Sequence, residues 1–425
     1  MLRLCTRVAH SRSIAEVGER NELELRPYVK DASKTAMIPA FAKIKHPLVE
    51  ERTSRLTQYA ETSPLNRVEM GDTSIGIITS GISYCYAKEA LGENASYLKL
   101  GMVNPMPVEL IKDFAAKVDK LYVIEELDPI IETHCRKIGV DVIGKDLFPI
   151  CGEFSQAIVR EKILGETPEV MALNEPIPPR PPAMCSGCPH RGVFYTLKKL
   201  GVYVSGDIGC YSLGVAAPLS AIDTIVCMGA SISTLHGYNK ALGQDAEKRS
   251  VAVIGDSTFI HTGINSLIDV AYNRSNSVVI ILDNSITGMT GHQQNPTTGY
   301  TIKGDPTAAV SLEALVKSIG IERVNVVDPY DLTSVEQIIK QELEADAPSV
   351  IIARRPCALL KYVQHNPPSF IDTEKCRGCK ACMKIGCPSI SFSDGKAKID
   401  HTLCLGCGVC GQLCKFDAIK NGEVR

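Results

Sequence analysis

Short apolar runs alternate with stretches of helical periodicity along most of the chain. After residue 184 the runs are Thr224–Met228, Ser250–Ile254, Ser277–Leu282, Val324–Val327 and Ser349–Ala353. They are rich in Val and Ile, as strands buried on both faces are. Between and around them His190–Leu200, Ser231–Leu242, Gly263–Asn273, Leu312–Ile319 and Ser334–Glu344 carry helical spacing. This alternation predicts a doubly wound parallel α/β sheet, whose ligands bind in loops at the carboxyl ends of strands. A block nearer the amino terminus repeats the rhythm. Ser74–Ser80 reads as a strand entering a turn at Gly81, Ser83–Leu91 as a helix, and Leu121–Glu125 as a strand with Glu125-Glu126 at its polar end. Residues 1–66 have helical charge spacing at Glu16–Glu24 and Glu50–Arg55 but no hydrophobic repeat, so they are expected to connect or wrap.

These patterns divide the chain into a connecting segment at 1–66, an α/β block at 67–170, a linker at 171–183, a second α/β domain at 184–362 and a tail at 366–425. Within the linker, Asn174–Pro182 has five prolines in nine residues, a composition that favours extended backbone. The tail is an internal repeat: Cys376, Cys379 and Cys382 recur as Cys404, Cys407 and Cys410 at an offset of 28. Each copy ends in a hairpin-turn signal, Asp394-Gly395 and Asn421-Gly422.

Composition then narrows the chemistry. A net charge of −2 over 425 residues argues against a polyanion-binding surface, and so against nucleic acid. No apolar run reaches the ~18 residues of a membrane span, and the start lacks a signal-peptide pattern, so a cytoplasmic location is expected. In that reducing compartment the 17 cysteines read as metal ligands or thiols rather than disulfides. Eight of the 17 lie between Cys376 and Cys414.

A CxxCxxC loop can wrap three corners of an iron–sulfur cubane, and in two-cluster ferredoxins the fourth cysteine ligates the other cluster. The expected sets are Cys376, Cys379, Cys382 and Cys414 for one [4Fe–4S] cluster, and Cys404, Cys407, Cys410 and Cys387 for the other. Pro388 follows Cys387 as that motif expects, whereas Cys387 has one extra residue before it and Lys415 replaces the second proline. Zinc on CxxC pairs is the competing assignment.

A second chemistry sits on the strands. Gly255-Asp256-Ser257 ends one predicted strand, and 25 residues later Asp283-Asn284 ends the next. That distance puts polar groups on neighbouring strand ends, where a hard cation such as Mg²⁺ takes oxygen ligands shared with a diphosphate. Asp256, the Asn284 side chain and the Ile286 carbonyl suit the cation. The pattern resembles the thiamine diphosphate signature, with Ser257 in place of a glycine and Asp283 in place of an asparagine. Gly288–Gln293 follows, so Gly291 and His292, together with His190, are candidates for cofactor or substrate contacts; His236 reads as a structural residue. Cys185, Cys188, Cys210 and Cys357 lie in glycine- and proline-punctuated loops, and they form a candidate third [4Fe–4S] set if those loops converge. The alternative is that they are buried small hydrophobes, the expectation for Cys5, Cys85, Cys135, Cys151 and Cys227.

Together the segments Cys185–Arg191, Asp207–Gly214, Met228–Thr234, Gly255–Ser257, Leu282–Gln293 and the tail resemble the 2-oxoacid:ferredoxin oxidoreductases, and among these the large (alpha) subunits of the indolepyruvate type. The resemblance runs over essentially the whole chain. It implies a transketolase C-terminal-like fold for residues 67–170 and a two-cluster ferredoxin-like fold for the tail. It also implies oxidative decarboxylation of arylpyruvates to aryl-acetyl-CoA, with thiamine diphosphate and Mg²⁺ as cofactors, CoA as co-substrate, a small beta subunit as partner and an external ferredoxin as electron acceptor. Thr6–Arg20 resembles an internal stretch of that family. The pyrimidine-binding domain with its activating glutamate is therefore expected to be missing, and residues 1–66 are read as the remnant of a truncated amino-terminal region. A pyruvate or branched-chain 2-oxo acid enzyme, and an electron-transfer subunit without thiamine chemistry, are the other readings.

Overall fold

A computed structural model describes residue 4 and residues 6–167, 173–178 and 181–422. Cys5 and linker positions 171, 172, 179 and 180 lie outside the described residues, as do the ends of the expected segments at 1–3, 168–170 and 423–425. The chain forms two compact units, Met1–Ile177 and Pro178–Arg425.

In the first unit, β1 (Arg67–Glu69), β2 (Gly76–Ser80), β3 (Ser96–Leu100) and β4 (Leu121–Ile124) form a sheet of order β1-β3-β2-β4. Only β1 runs antiparallel. Strands β1 and β3 were not evident from the sequence pattern, and neither were the helices Glu109–Ala115, Ile130–Lys137 and Gln156–Leu164. Glu125 and Glu126 are not simply a polar strand end. Glu125 is buried and accepts hydrogen bonds from the backbone N–H groups of Ile131 and Glu132 at 2.9 and 3.0 Å, capping a helix. Glu126 accepts from Phe154 N at 2.8 Å.

The expected connecting segment holds a helix of 24 residues, Pro39–Thr62, which includes Glu50–Arg55. Its Glu61 accepts from the amides of Val108 and Leu110 at 2.7 and 2.8 Å, at the start of the helix Glu109–Ala115. Residues 16–24, by contrast, are irregular and exposed.

The second unit is built on six parallel strands: β5 (Tyr203–Gly206), β6 (Thr224–Ile225), β7 (Ser250–Gly255), β8 (Val278–Asp283), β9 (Arg323–Val327) and β10 (Ser349–Arg354). Their order is β6-β5-β7-β8-β10-β9. The side-chain period of two splits the strand residues between two cores. Val251, Val253, Val278, Ile280, Leu282 and Ile351 face the helices His190–Leu200 and Leu332–Leu343. Ala252, Ile254, Val279, Ile281 and Ile352 face Ser231–Leu242, Ile264–Tyr272 and Leu312–Ser318. Each fully buried aliphatic side chain contributes about 1.5–3 kcal/mol. β6 stops short of the expected Met228: Val226 and Met228 are exposed, so the edge strand has no second core to bury them.

The tail packs on the same unit. β11 (Phe370–Ile371) pairs with β14 (Ile419–Lys420), and β12 (Ile390–Ser393) with β13 (Lys396–Ile399), both antiparallel. Asp394 and Gly395 turn the second pair with φ of 53° and 75°, as the hairpin signal predicted. The strand before Asn421-Gly422 pairs with β11, and the residues that would follow that turn signal lie outside the described ones. Gln412 ties the tail to the sheet domain, donating to Tyr330 O at 2.7 Å and accepting from Leu332 N at 3.1 Å.

Candidate functional site

The register pairs Gly255 with Leu282, so Asp256 and Asp283 emerge side by side from the carboxyl ends of β7 and β8. Gly255 is required there: a Cβ would lie 2.7 Å from the Tyr211 ring. A helix starts at Asp256, and its second turn, Phe259–Gly263, is π-helical, a distortion common at functional sites. Asp256 is buried and is pushed up to about 7, first by burial and then by Asp283. Its carboxylate takes long side-chain contacts from Asn295 Nδ2 at 3.3 Å and Thr297 Oγ1 at 3.4 Å, and these, with the Ser257 backbone N–H, offset part of the rise. Asp283 is held by Arg354 at 2.7 Å, and Arg354 also grips Glu313 through two bonds of 2.7 and 2.9 Å. That guanidinium holds Glu313 down to about 2. A buried, weakly satisfied carboxylate beside Asn284 is a donor set suited to a hard cation.

The loop after β8 closes over this point. Ser285 and His292 have φ of 57° and 62°, left-handed values rare outside glycine, and Gly291 has φ 117°. Ile286, two residues after Asn284, is buried, and Thr287 pairs with Gln293 to close the loop. Thr287 Oγ1 donates to Ser257 Oγ at 3.0 Å, which joins the two halves of the motif. His190 is buried, is lowered to about 4 by burial, and packs edge-on to Tyr211, the ring that backs Gly255, at 5.9 Å between ring centroids. His236 meets Asp269 at 3.6 Å, consistent with a structural role.

The sheet brings the scattered cysteines to the same end. Cys357 N donates to Asn284 O at 2.8 Å, and Cys357 Sγ lies 3.8 Å from His292 Nε2. A Cβ on Gly288 would sit 3.6 Å from Cys210 Sγ and 3.7 Å from Asn284 Nδ2. Burial raises the Cys210 thiol, and Cys357 and Cys185 raise it further; burial pushes Cys188 up to about 12, with Cys185 and Cys210 adding. Cys357 and Cys210 therefore stand beside Asn284, and Cys185 is near enough to Cys188, Cys210 and Cys357 to raise their thiols. Cys135 is buried, as the small-hydrophobe expectation requires, but Cys85, Cys151 and Cys227 are exposed and do not follow it.

In the tail, Cys376, Cys379, Cys382 and Cys414 line one cavity. Cys387, Cys404, Cys407 and Cys410 line another, slightly larger one. Each cavity thus takes its fourth cysteine from the other repeat. Backbone N–H groups of Ala397 and Gly378 lower the Cys376 thiol, favouring the thiolate that a cluster needs. Among the described residues, no three His, Cys, Asp or Glu side chains converge around a single ion. A cubane takes one thiolate at each corner and needs no such convergence. Cys188 lines the larger cavity too, so the sheet-end thiols and the tail meet there.

Two family models match the chain: the thiamine pyrophosphate enzyme C-terminal TPP binding domain over residues 207–353, and the 4Fe-4S binding domain over 397–420. The indolepyruvate oxidoreductase subunit IorA of Pyrococcus horikoshii is 37% identical over 100% of this chain and 74% of its own length. The chain belongs to the indolepyruvate oxidoreductase subunit IorA family. The IorA proteins of Archaeoglobus fulgidus, 37% identical over 99% of this chain and 72% of the relative, and of Thermococcus kodakarensis, 38% over 100% and 74%, agree. It is thus an oxidoreductase subunit that combines a thiamine pyrophosphate-binding α/β domain, on a parallel sheet, with a ferredoxin-like 4Fe-4S tail. No described helix is long and apolar enough to cross a membrane.

Asn295, Thr297 and Arg354 were missed from the sequence, and Tyr211 was noticed only as part of Asp207–Gly214, without a role. Each acts through a contact made across the fold, which spacing along the chain does not signal.

Proposed function

We propose that this subunit takes part in the CoA-dependent oxidative decarboxylation of arylpyruvates. In this reading it holds the diphosphate end of thiamine diphosphate and passes electrons through three [4Fe–4S] clusters to an external ferredoxin. Asp256, Asn284 and the Ile286 carbonyl would ligate Mg²⁺. Gly255 and Ser257 would approach the diphosphate, with Gly291 and His292 in the loop that covers it. The bound cofactor supplies an electron sink for the 2-oxo acid, and the clusters supply one-electron steps. Tyr211 backs the Gly255 turn, while Asn295 and Thr297 orient Asp256 toward the cation. The small beta subunit expected from the family resemblance would be its partner.

The observation that carries this reading is the unbroken run of cysteines. Cys357 and Cys210 stand beside Asn284, Cys188 lines the larger tail cavity, and Cys382 lies close enough to Cys410 to help raise its thiol. Burial is the main cause of that rise, which takes Cys410 to about 12. The test is anaerobic iron and sulfide analysis of the assembled enzyme, with turnover assays on indolepyruvate, phenylpyruvate and pyruvate. About twelve irons per chain supports three clusters at about four each, and about eight removes the set on Cys185, Cys188, Cys210 and Cys357. Faster ferredoxin reduction with pyruvate than with either aryl substrate would overturn the substrate class.

A further inference from the structure

Arg191 sits in the first turn of the helix His190–Leu200 and is buried, with 4% of its surface exposed. Its guanidinium spreads over two loops. Nε and Nη2 donate to Cys185 O at 3.3 and 3.2 Å, and Nη2 also donates to Met184 O. Nη1 donates to Ile385 O at 3.2 Å and to Gly386 O, on the tail loop just before Cys387. Every acceptor is a neutral carbonyl. Among the described residues no carboxylate pairs with it.

A guanidinium stays charged, since its pKa lies above about 12. An isolated buried charge is strongly disfavoured unless an opposite charge accompanies it. Burial lowers the Arg191 pKa, and the groups that raise it are all cysteines: Cys387, Cys188, Cys185 and Cys407. Arg191 also lines the cavity shared by Cys387, Cys404, Cys407 and Cys410. The counter-charge of this arginine is therefore cysteine thiolate, and thiolates persist in a buried cavity when iron holds them.

We infer that Arg191 is the fixed counter-charge of the cluster on Cys387, Cys404, Cys407 and Cys410, and that its positive charge raises the reduction potential of that cluster. The inference deepens the proposed function and rests on its clusters. Reduction adds one electron to a cluster, and a nearby cation in a low-dielectric interior favours the more negative state. The outer cluster, on Cys376, Cys379, Cys382 and Cys414, lines a different cavity in which Arg191 takes no part.

The test is a potentiometric titration, followed by electron paramagnetic resonance, of the anaerobically purified enzyme with its partner subunit. Wild type is compared with Arg191→Gln and Arg191→Lys. Signals are assigned to the inner or outer cluster by Cys410→Ser and Cys379→Ser. In Arg191→Gln the inner cluster should be at least tenfold harder to reduce at a given potential, a shift of about 59 mV downward for one electron. The outer cluster should not move. Arg191→Lys keeps the charge and should titrate like wild type. An unmoved inner cluster in a fully loaded Arg191→Gln enzyme overturns the inference. If Arg191→Gln does not load its clusters, Arg191→Lys decides: a wild-type potential supports the charge role, and a tenfold loss overturns it. Wild-type enzyme without iron and sulfide would overturn the functional reading itself, and this inference with it.

Discussion

Glu125 and Asp256 hold corresponding positions in the two units. Each is a buried carboxylate just past the carboxyl end of a parallel strand, β4 in one case and β7 in the other. Burial raises the pKa of both. Their partners differ. Glu125 spends both oxygens on the amides of Ile131 and Glu132, at 2.9 and 3.0 Å. Asp256 has side-chain contacts no shorter than 3.3 and 3.4 Å, one backbone N–H from the adjacent Ser257, and a second carboxylate, Asp283, beside it. One acid is consumed by its own fold and the other remains open to a ligand. Topology puts a carboxylate at the ligand-binding end of a sheet, but the number of local donors decides whether it can serve one.

The sharpest break of this comparison is Asp256→Ala, which should abolish thiamine diphosphate retention in the assembled enzyme. Unchanged thiamine content after gel filtration would remove the cation assignment. Asn295→Ala comes next. It takes away a group that orients Asp256 and should weaken Mg²⁺ binding by about 10–100-fold, read by calorimetry. Glu125→Ala should do the opposite of both. It leaves two buried amides unpaired and should cost about 1–3 kcal/mol, seen as a lower urea midpoint, with bound thiamine unchanged. Loss of thiamine in that variant would erase the distinction between the two acids.

The smallest effect sharpens the Asp283 side. Glu313 is held near 2 by its Arg354 hydrogen bonds, against an ordinary 4.5. A depressed acid stabilises the fold above its unfolded pKa and loses that contribution as pH falls through the folded one. Glu313→Gln should therefore flatten the decline in melting temperature between pH 4.5 and 2, while costing less than about 1 kcal/mol at neutral pH because the pair is partly exposed. An unchanged acid limb would show that the pair contributes nothing.

The parallel sheet of the second unit was legible because its central strands are continuous Val/Ile runs; the edge strand β6 ended early, and β5, with Ser205 and Gly206 in four residues, did not stand out as an apolar run. In the first unit β1 and β3 escaped notice. Arg67–Glu69 is short and polar, and Ser96–Leu100 is interrupted by Ser96, Tyr97 and Lys99, so neither stands out as an apolar run. His190 stood out by its place in a cysteine loop, and only the fold shows that its ring packs against Tyr211. Glu125 looked like a solvated strand end because its partners, the amides of Ile131 and Glu132, are backbone groups that any residue carries.

Ligand spacing is a local property, so the chain alone marked the tail repeat, and Gly255-Asp256 and Asp283-Asn284 as the ends of adjacent strands. Short loops leave few ways to arrange three cysteines two residues apart. Three matters needed the folded molecule: the meeting of Cys210 and Cys357 beside Asn284, the weak hold of Asn295 and Thr297 on Asp256, and the placing of an unpaired arginine between two sets of thiols. Each depends on segments far apart in sequence arriving at one point, which is decided by how the sheet and its helices pack rather than by any spacing along the backbone.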